Sequence, residues 1–536
     1  MSASPASDDP PEAFTADERA ALEPHFTDLD GPVFALVGLP EVVKGALFAR
    51  YSRSSKSLRR LFLDEFLDAA ASRHGAATAV GVERAEELYE KVFVEYGDDS
   101  VAQLGGVHLA CETCSNVLTK VLEWGRLAAY LEQSTRYVPL TDRPAGRFRY
   151  HLPAELAATP LAARYAEVLD RAFATYARWL EPLERHYEKL HPRVAGISTG
   201  VYKRTIRAKA LDTLRGLLPA ATHANVGIFG TGQAYEALLL RMRSHALAEV
   251  RQCAARMLVE LRKVIPAFLR RVDQPERGLA WSRYLAQTRA EVGLLAQELL
   301  RGIEPQPRPD VVLADFDPQG EVKVVAAALY ASSRLADDQL MEIASRMSHK
   351  ERARVLETYA GRRANRRHKP GRAFERTSYR FDVLGDYGAF RDLQRHRMLT
   401  LEWQPLSPEH GYNVAQAVEE VGALGDWQRA MDGSAALYAE IRAAGLPEVA
   451  PYAVSMAFRV RFYMELNARE ALHVIELRTA PQGHPSYRRV CQEMHRLIAE
   501  RAGHRAIAAA MSFANHEAVD LERLESEKSA ERRREL

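Results

Sequence analysis

Arginine and histidine side chains crowd together in the last third of the chain. Arg395, His396 and Arg397 are consecutive at the end of a predicted helix. Consecutive helical residues fan out by about 100°, so the three cannot share one face, but at a helix end they can curl around a planar or anionic ligand. The alternative is that cations at a helix C-terminus simply complement the helix dipole.

A second polar set lies in the predicted helix within FYMELNAREALHVIELRTA. Asn467 and Arg478 are eleven residues apart, about three turns, so we expect them to project along one side of the helix, which is otherwise apolar. Arg469 and His473, four residues apart, form a neighbouring pair. A lone histidine is more often a core residue, but beside Asn467 and two arginines a ligand-facing role becomes equally plausible.

The first half of the chain carries polar residues of another kind. In YLEQSTRYV, Glu132, Ser134 and Arg136 occupy alternate positions of an extended or turning loop and are predicted to point one way. An arginine beside a serine hydroxyl suits a phosphate, whereas the alternative is a surface loop with an ordinary Arg–Glu pair. Arg215 and Arg241 add guanidinium groups in apolar surroundings, where arginines usually meet an anion. Ser134 lacks a Gly-x-Ser-x-Gly elbow, so it is interpreted as a binding hydroxyl.

The elements that must position these residues occur twice. PVFALVGLPEVVKGALFARYSRSS and VVLADFDPQGEVKVVAAALYASSRL each predict a strand, a turn and a helix. Downstream, alternating strands precede helical stretches that end at Arg126 and Arg397. Cys111 falls on the first of these strands and Cys114 at the following helix start. Finally, GQAYEALLLRMRSH matches NAREALHVIELRTA. Three landmarks in the same order indicate a duplication.

The Pro-rich stretch IEPQPRPD marks the break between the copies. We therefore predict a disordered N-terminus over residues 1–30 with a helix starting near Thr15, a first copy over 31–305, a second copy over 306–520 and a charged tail over 521–536 that forms a solvated, fraying helix. Because strands alternate with long helices and no Gly-rich strand-to-helix turn occurs, each copy is predicted to be α+β rather than doubly wound.

Composition narrows the possible partners. The chain has 73 basic and 71 acidic side chains, a net charge of +2, which gives no global reason to bind nucleic acid or an acidic membrane. The basic stretch GRRANRRHKPGR at 361–372 lacks the interleaved aromatics of an RNA platform, so a loop over an anionic cofactor, or a solvated connection, is favoured. No apolar run reaches the roughly 18–20 residues of a membrane helix.

The cysteine pattern and the N-terminus set the expected compartment. Four cysteines and no N-terminal basic-plus-apolar signal predict a reduced, cytoplasmic protein. The spacing of Cys111 and Cys114 could suggest zinc, but no second pair at similar spacing accompanies them. A four-ligand site needs such a pair, so no metal site is predicted.

With Phe374-Glu375 ahead of the second alternating strand, these motifs resemble the flavin-dependent thymidylate synthases across most of residues 31–515. The resemblance implies, for each copy, an antiparallel sheet flanked by long helices. It also implies FAD-dependent methylation of dUMP to dTMP, with NADPH and methylenetetrahydrofolate as co-substrates and no protein nucleophile. A homodimer would mimic the homotetramer of the family. The FAD contacts so implied are Glu375, Arg395, His396, Arg397, Asn467, Arg469 and His473; the nucleotide contacts are Glu132, Ser134, Arg136, Arg215, Arg241 and Arg478.

Each copy departs from the family pattern. The first reads Trp124-Gly125-Arg126 in place of Arg-His-Arg and Gly230-Thr231-Gly232 in place of Asn-x-Arg, and the second reads WQPLS at 403–407 in place of the Ser-x-Arg loop and Pro451 in place of an arginine. Our hypothesis is that the losses are complementary and the sites composite. The alternatives are a degenerate paralogue that binds FAD or nucleotide without turnover, a flavin enzyme acting on another pyrimidine nucleotide and, more distantly, a nucleic-acid-binding protein.

Overall fold

The computed structural model describes residues 12–67 and 103–535, with side chains up to residue 533. It divides into two compact units. The first unit comprises Met1–Cys111, Leu127–Leu131 and Val226–Arg301, and the second unit comprises Glu112–Arg126, Glu132–Asn225 and Gly302–Leu536. Compact units and sequence copies therefore differ, because the second unit includes a large part of the first predicted copy.

Two sheets contain the seven strands of the described residues. The order β1-β3-β2 forms one sheet, and β4-β5-β7-β6 forms a second, antiparallel sheet. The strands are β1 (Gly106–Ser115), β2 (Ala129–Glu132), β3 (His223–Thr231), β4 (Val311–Phe316), β5 (Ser378–Asp386), β6 (Thr400–Trp403) and β7 (Arg459–Asn467). The order β5-β7-β6 repeats the order β1-β3-β2, which supports the predicted duplication.

Each of the four long strands runs directly into a helix. These helices are Asn116–Leu122, Gly232–Arg243, Tyr387–Leu393 and Ala468–Arg478. In every case the last residue of the strand is the N-cap, and its side chain accepts a hydrogen bond from the backbone N–H three residues on; the caps are Ser115, Thr231, Asp386 and Asn467. Small oxygen-bearing side chains are the preferred caps because they satisfy an N–H that the helix leaves open. The same device at matching positions in both copies defines the repeat.

One predicted strand is absent from the described residues. In the first copy, the segment around Val33 forms only an isolated bridge between Phe26 and Leu36, and Val33 is 85% exposed. Its counterpart in the second copy, β4, pairs with β5 and buries Val311 and Leu313. The prediction of a strand near residues 33–36 is therefore wrong, because the same apolar composition there finds no neighbouring strand. The helix predicted next is confirmed in both copies, at Glu41–Tyr51 and Gly320–Tyr330.

The remaining helices surround these elements within each unit. Those of the first unit are Ala16–Leu22, Leu58–Leu61, Ala248–Arg262 and Gly278–Leu299. Those of the second unit are Ala154–Ala157, Leu161–Leu190, Thr199–Leu214, Asp337–Arg346, His349–Ala360, Gln416–Glu420, Leu424–Ala443, Pro485–Glu500, Arg505–Ala510 and Leu524–Glu535. None of the helices in the described part of the chain is long and apolar enough to cross a membrane.

Each end of the described chain contains a helix where the sequence predicts one. Residues 1–11 lie outside the described residues, but Thr15 caps the helix Ala16–Leu22, whose Leu22 is fully buried. At the other end, Glu522 and Arg523 are buried, and Glu527 pairs with Arg204 of the helix Thr199–Leu214 at 2.8 Å. The tail is helical as predicted, but the expectation that it is solvated is wrong for these residues.

The two closely spaced cysteines, Cys111 and Cys114, are both buried on β1. Cys114 therefore lies at the end of the strand rather than at the helix start, since the helix begins only at Asn116.

Candidate functional site

The Arg-His-Arg triplet lies just beyond a helix. The helix Tyr387–Leu393 ends with Gln394 as its C-cap, so Arg395, His396 and Arg397 follow the helix rather than closing it. Gln394 is buried and its amide donates to the carbonyl of Lys120 at 2.8 Å. This bond fixes the turn, with the His396 side chain inward and Arg397 exposed.

Asn467 is a helix N-cap, a role that the helical pattern of the sequence did not predict. It ends β7 and caps the helix Ala468–Arg478, with its Oδ1 accepting from the N–H of Glu470 at 2.9 Å. The prediction that Asn467 projects along the helix beside Arg478 is therefore wrong, because Asn467 precedes the first helical turn. Arg469 donates to the carbonyl of Pro370 at 2.9 Å and lies 3.3 Å from the Glu375 carboxylate, so these two predicted FAD contacts adjoin each other.

Arg478, His396, Glu470 and His473 form a hydrogen-bonded chain. Arg478 Nε donates to His396 Nε2 at 2.9 Å, which places the ring proton of neutral His396 on Nδ1. His396 Nδ1 lies 3.5 Å from Glu470 Oε1, and His473 Nδ1 lies 3.3 Å from Glu470 Oε2. Burial lowers the pKa of His396 to about 4. Burial would raise the pKa of Glu470, but the two histidines outweigh it and bring the pKa to about 2.

Ligand atoms of His396, Glu470 and His473 lie within 4.8 Å of one another, close enough to hold a metal ion. The hydrogen bond from Arg478 argues against that use. If His396 bound a cation through Nδ1, its proton would have to move to Nε2, where the guanidinium also presents an N–H. The arrangement suits a neutral imidazole that is held in one tautomer.

Glu132, the last residue of β2, is surrounded by cations. Its carboxylate is fully buried and accepts from Arg391 at 2.8 Å and Arg395 at 2.9 Å, while Lys120 lies 3.4 Å away. Burial would raise the pKa of Glu132, but Arg391, Lys120 and Arg395 outweigh it and hold the pKa well below its usual range. Glu132 belongs to the first predicted copy, whereas Arg391 and Arg395 belong to the second.

Arg136 is held by the carboxylate of Asp212. Its Nε and Nη2 donate to the two carboxylate oxygens of Asp212 at 2.7 and 2.6 Å, and Nη1 donates to the Tyr487 hydroxyl at 3.2 Å. Ser134 Oγ accepts from the Arg136 N–H at 3.2 Å, a local turn contact. Each of the three side chains Glu132, Ser134 and Arg136 meets a different partner, and the expectation that they point one way stays a prediction.

Asp392 lies among three further arginines. Arg215 Nη1 is 3.3 Å from its carboxylate, and Arg395 Nη2 and Arg478 Nη1 are each 3.9 Å away. Burial would raise the pKa of Asp392, but these arginines outweigh it and hold the pKa far below its usual range. Arg215 is buried, and its Nη2 finds no hydrogen-bond partner among the described residues.

Asp212 and Asp392 were missed in the sequence. A signal for both exists in retrospect, because each precedes an arginine by three residues, in DTLR and DLQR. That spacing puts the acid one helical turn from the arginine, where the two can interact. Acids at such positions usually make surface pairs, so the pattern alone does not distinguish these two.

We call this group of buried and half-buried charges the arginine cluster. In the ion pairs described above and those of Glu123 and Arg523, the cations outnumber the acids; the cations are Lys120, Arg136, Arg215, Arg391, Arg395, Arg478 and Arg523, and the acids are Glu123, Glu132, Asp212 and Asp392. Uncompensated charge is costly away from water, so a surplus of this kind favours an anionic ligand.

One predicted nucleotide contact, Arg241, is not a residue of the second unit. Arg241 belongs to the first unit, on the helix Gly232–Arg243, where burial lowers its pKa. Of the four arginines predicted to contact the nucleotide, Arg136, Arg215 and Arg478 belong to the arginine cluster.

The residues that replace family motifs have packing contacts. Trp124 Nε1 donates to the Leu401 carbonyl at 2.9 Å, and its ring meets that of Trp403 edge-on with 5.8 Å between centroids. Arg126 donates to the Leu399 carbonyl at 3.0 Å. The divergent positions of the two copies therefore contact each other within the second unit.

The basic stretch 361–372 is anchored through one of its own arginines. Arg363 donates to both carboxylate oxygens of Glu476 at 2.6 Å and to the Ala510 carbonyl at 2.9 Å, and both members of the pair are buried. The neighbouring Arg362 and Arg367 are exposed. The segment is a fixed loop beside the helix Ala468–Arg478.

Fold and site together define a duplicated α+β protein with a buried, positively charged cluster suited to an anionic ligand. A family model described as "Thymidylate synthase complementing protein" matches residues 46–267 and 311–502, and the chain belongs to this family. The two matched ranges fall one in each predicted copy, which confirms the resemblance and is consistent with a tandem duplication.

The chain is also similar to several individual proteins. A "UPF0159 protein" of Chlamydia muridarum is 36% identical over 520 residues, covering 96% of this chain and 98% of the relative. A UPF0159 protein of Thermoplasma acidophilum is 29% identical over 510 residues, covering 90% and 97%. A "Flavin-dependent thymidylate synthase" of Clostridium tetani is 28% identical over 198 residues, covering 35% of this chain and 74% of that protein. The crystal structure of a UMP/dUMP methylase, PolB from Streptomyces cacaoi, gives a TM-score of 0.30 at 20% identity, covering 39% and 97%.

Proposed function

We propose that the protein is an FAD-dependent enzyme that methylates dUMP to dTMP with methylenetetrahydrofolate and NADPH, acting as a homodimer with composite sites. Membership of the family supports the reaction class. The observation that carries the proposal to this chain is the arginine cluster, in which Glu132, Arg136 and Arg215 of the first copy lie with Arg391, Arg395 and Arg478 of the second.

The residues proposed to hold FAD fit a planar, anionic group. Arg395 is 34% exposed and Arg397 is exposed, so both guanidinium groups can reach a ligand, while neutral His396 offers a fixed tautomer nearby. Glu375 and Arg469 are partly exposed and adjoin this region through the helix Ala468–Arg478, with His473 on the same helix. A cationic environment near a flavin ring favours its reduced anion. FAD bound there and reduced by NADPH would supply the reducing electrons.

In this proposal the protein side chains bind and orient rather than attack. Arg215 and Arg478 hold the nucleotide phosphate, with Ser134 and Arg136 beside it. Glu132 keeps Arg391 and Arg395 in place and charged. The Arg478 to His396 hydrogen bond links the proposed nucleotide and flavin contacts, so binding of one ligand would orient a group that faces the other.

A second candidate is a paralogue that binds FAD or nucleotide without turnover. The observation that favours it is the two-point ion pair of Arg136 with Asp212, which uses the donors that a phosphate would need. A third candidate is methylation of another pyrimidine nucleotide, which is based on the divergent segment WQPLSPEHGY at 403–412.

The visible spectrum of the purified protein and its NADPH oxidation with and without dUMP test the proposal. We expect a yellow protein whose NADPH oxidation responds to dUMP and which forms dTMP. A colourless protein without extractable flavin would refute the enzyme proposal. Flavin with no dTMP would favour the non-catalytic paralogue, and dUMP-independent oxidation with another pyrimidine methylated would favour the third candidate.

The composite arrangement is tested with Arg136→Ala and Arg395→Ala. Each variant should lose dTMP formation, whereas Arg185→Ala, at an arginine that is 63% exposed and pairs with Glu181, should retain it. Because both residues would serve one site within a chain, mixing and reassembling the two inactive variants should restore no activity. Restored activity would place the two halves of the site on different chains.

A further inference from the structure

Asp392 has a place that is unusual for an acid in a site expected to take phosphate. Its carboxylate is buried and lies 3.3 Å from Arg215, 3.9 Å from Arg395 and 3.9 Å from Arg478. Two of these arginines, Arg215 and Arg478, are the ones proposed to meet the nucleotide. An acid there competes with a phosphate for the same guanidinium groups.

Two of the three arginines keep their positions independently of Asp392. Arg395 is held by Glu132 at 2.9 Å, and Arg478 is held by His396 Nε2 at 2.9 Å. Both contacts are shorter than the 3.9 Å that separates either arginine from Asp392. Asp392 therefore acts on these groups chiefly through its charge, so its removal would alter the electrostatic potential more than the geometry.

Asp212 is a different case, because it holds Arg136 through two short hydrogen bonds. Neutralising Asp212 would change the position of Arg136 as well as the net charge. At Arg395 and Arg478 the electrostatic effect of Asp392 can be separated from a structural one, whereas Arg215 donates to Asp392 directly at 3.3 Å, a bond that the side-chain oxygen of Asp392→Asn can still accept.

We propose that Asp392 is a specificity-determining residue that limits the charge of the phosphate group the site accepts and selects nucleoside monophosphates over di- and triphosphates. This inference rests on the proposed nucleotide site. Asp392 places one negative charge among Arg215, Arg395 and Arg478. A monophosphate brings about two negative charges, and each further phosphate adds about one more. The repulsion between ionised Asp392 and the phosphate group therefore grows with each added phosphate.

The test compares equilibrium binding of dUMP, dUDP and dUTP to the wild-type protein and to Asp392→Asn. The ratio of the dUTP to the dUMP dissociation constant should fall roughly tenfold or more in Asp392→Asn, because one like charge is removed beside the added phosphates. Asp392→Glu keeps the charge and should keep the wild-type ratio. Asp382→Asn is the matched control, since Asp382 is 40% exposed and pairs with Arg461 on the sheet.

An unchanged ratio in Asp392→Asn overturns the proposal. So does equal weakening of all three nucleotides, which would indicate a structural role, or a fall in the ratio for Asp392→Glu as well. Binding of inorganic phosphate and tripolyphosphate, followed by thermal shift, separates this inference from the proposed function because it needs neither base nor flavin. Preference for tripolyphosphate rising in Asp392→Asn supports charge limitation even if no dTMP forms, and absence of any phosphate binding overturns it.

Discussion

The buried carboxylate of Glu132 gives the sharpest prediction for stability. Glu132→Gln keeps the shape of the side chain but removes the charge that Arg391, Arg395 and Lys120 share at 2.8, 2.9 and 3.4 Å. At an effective dielectric constant of about 20, a contact of 2.8 Å between unit charges contributes about 6 kcal/mol of attraction. Desolvation offsets much of this in the native protein, but the variant still bears the desolvation of Arg391, whose side chain is only 3% exposed.

The expected result is a loss of about 3–5 kcal/mol in the free energy of unfolding, the range for breaking a buried ion pair. Urea unfolding, followed by circular dichroism and tryptophan fluorescence, measures it. Glu181→Gln removes a 74% exposed partner of Arg185 and should change the free energy by less than about 0.5 kcal/mol. Adding Arg391→Met to Glu132→Gln should recover part of the loss, because the orphaned charge is gone. A loss below about 1 kcal/mol for Glu132→Gln, or no recovery in the double variant, would refute the reasoning.

Two further predictions concern stability in the second unit. Burial lowers the pKa of His484 to about 4, so between its unfolded value near 6.5 and about 4 the unfolded chain binds a proton that the folded chain does not. The free energy of unfolding should therefore fall by up to about 3 kcal/mol as the pH falls through that window. In His484→Asn, which retains an N-cap side chain, the unfolding free energy measured with urea over pH 4.5–7 should depend less steeply on pH. An equal pH dependence in the two proteins would contradict the role given to His484. Arg363→Ala leaves Glu476 buried without its two-point partner, so the free energy of unfolding should fall by about 3–5 kcal/mol and new protease cleavage should appear in 361–372. Arg362 is exposed, and Arg362→Ala should change little. Equal effects of the two substitutions would exclude the proposed anchoring.

Much of the fold could be predicted because it depends on local patterns. The alternating strands β1 and β5, the helices after them and the order of landmarks in both copies follow from periodicity and capping residues. The segment near Val33 shows the limit of this reasoning. Its apolar residues resemble those of β4, but whether such a segment becomes a strand depends on a neighbour with free backbone groups, which periodicity does not reveal.

The site was harder to predict because its organisation is not local. Glu132 is 259 residues from Arg391, and Arg136 is 76 residues from Asp212. Sequence patterns indicated which arginines were unusual, but not that acids of the same chain would compensate them. The prediction for Asn467 was wrong for a local reason. In the sequence a cap residue fits the same periodicity as the helix that follows it, although its backbone is extended, at φ −70° and ψ 164°.

The contact of Glu132 with Arg391 and Arg395 also constrains how this chain can change over time. A mutation that neutralised residue 132 would strand two guanidinium groups encoded more than 250 codons away, and loss of either arginine would unbalance the acid. Single substitutions at these positions should therefore destabilise the protein and be removed by selection unless a compensating substitution occurs with them. For the same reason, splitting the gene near residue 306 should yield two polypeptides that require co-expression to fold, because each supplies the opposite charges that buried groups of the other need.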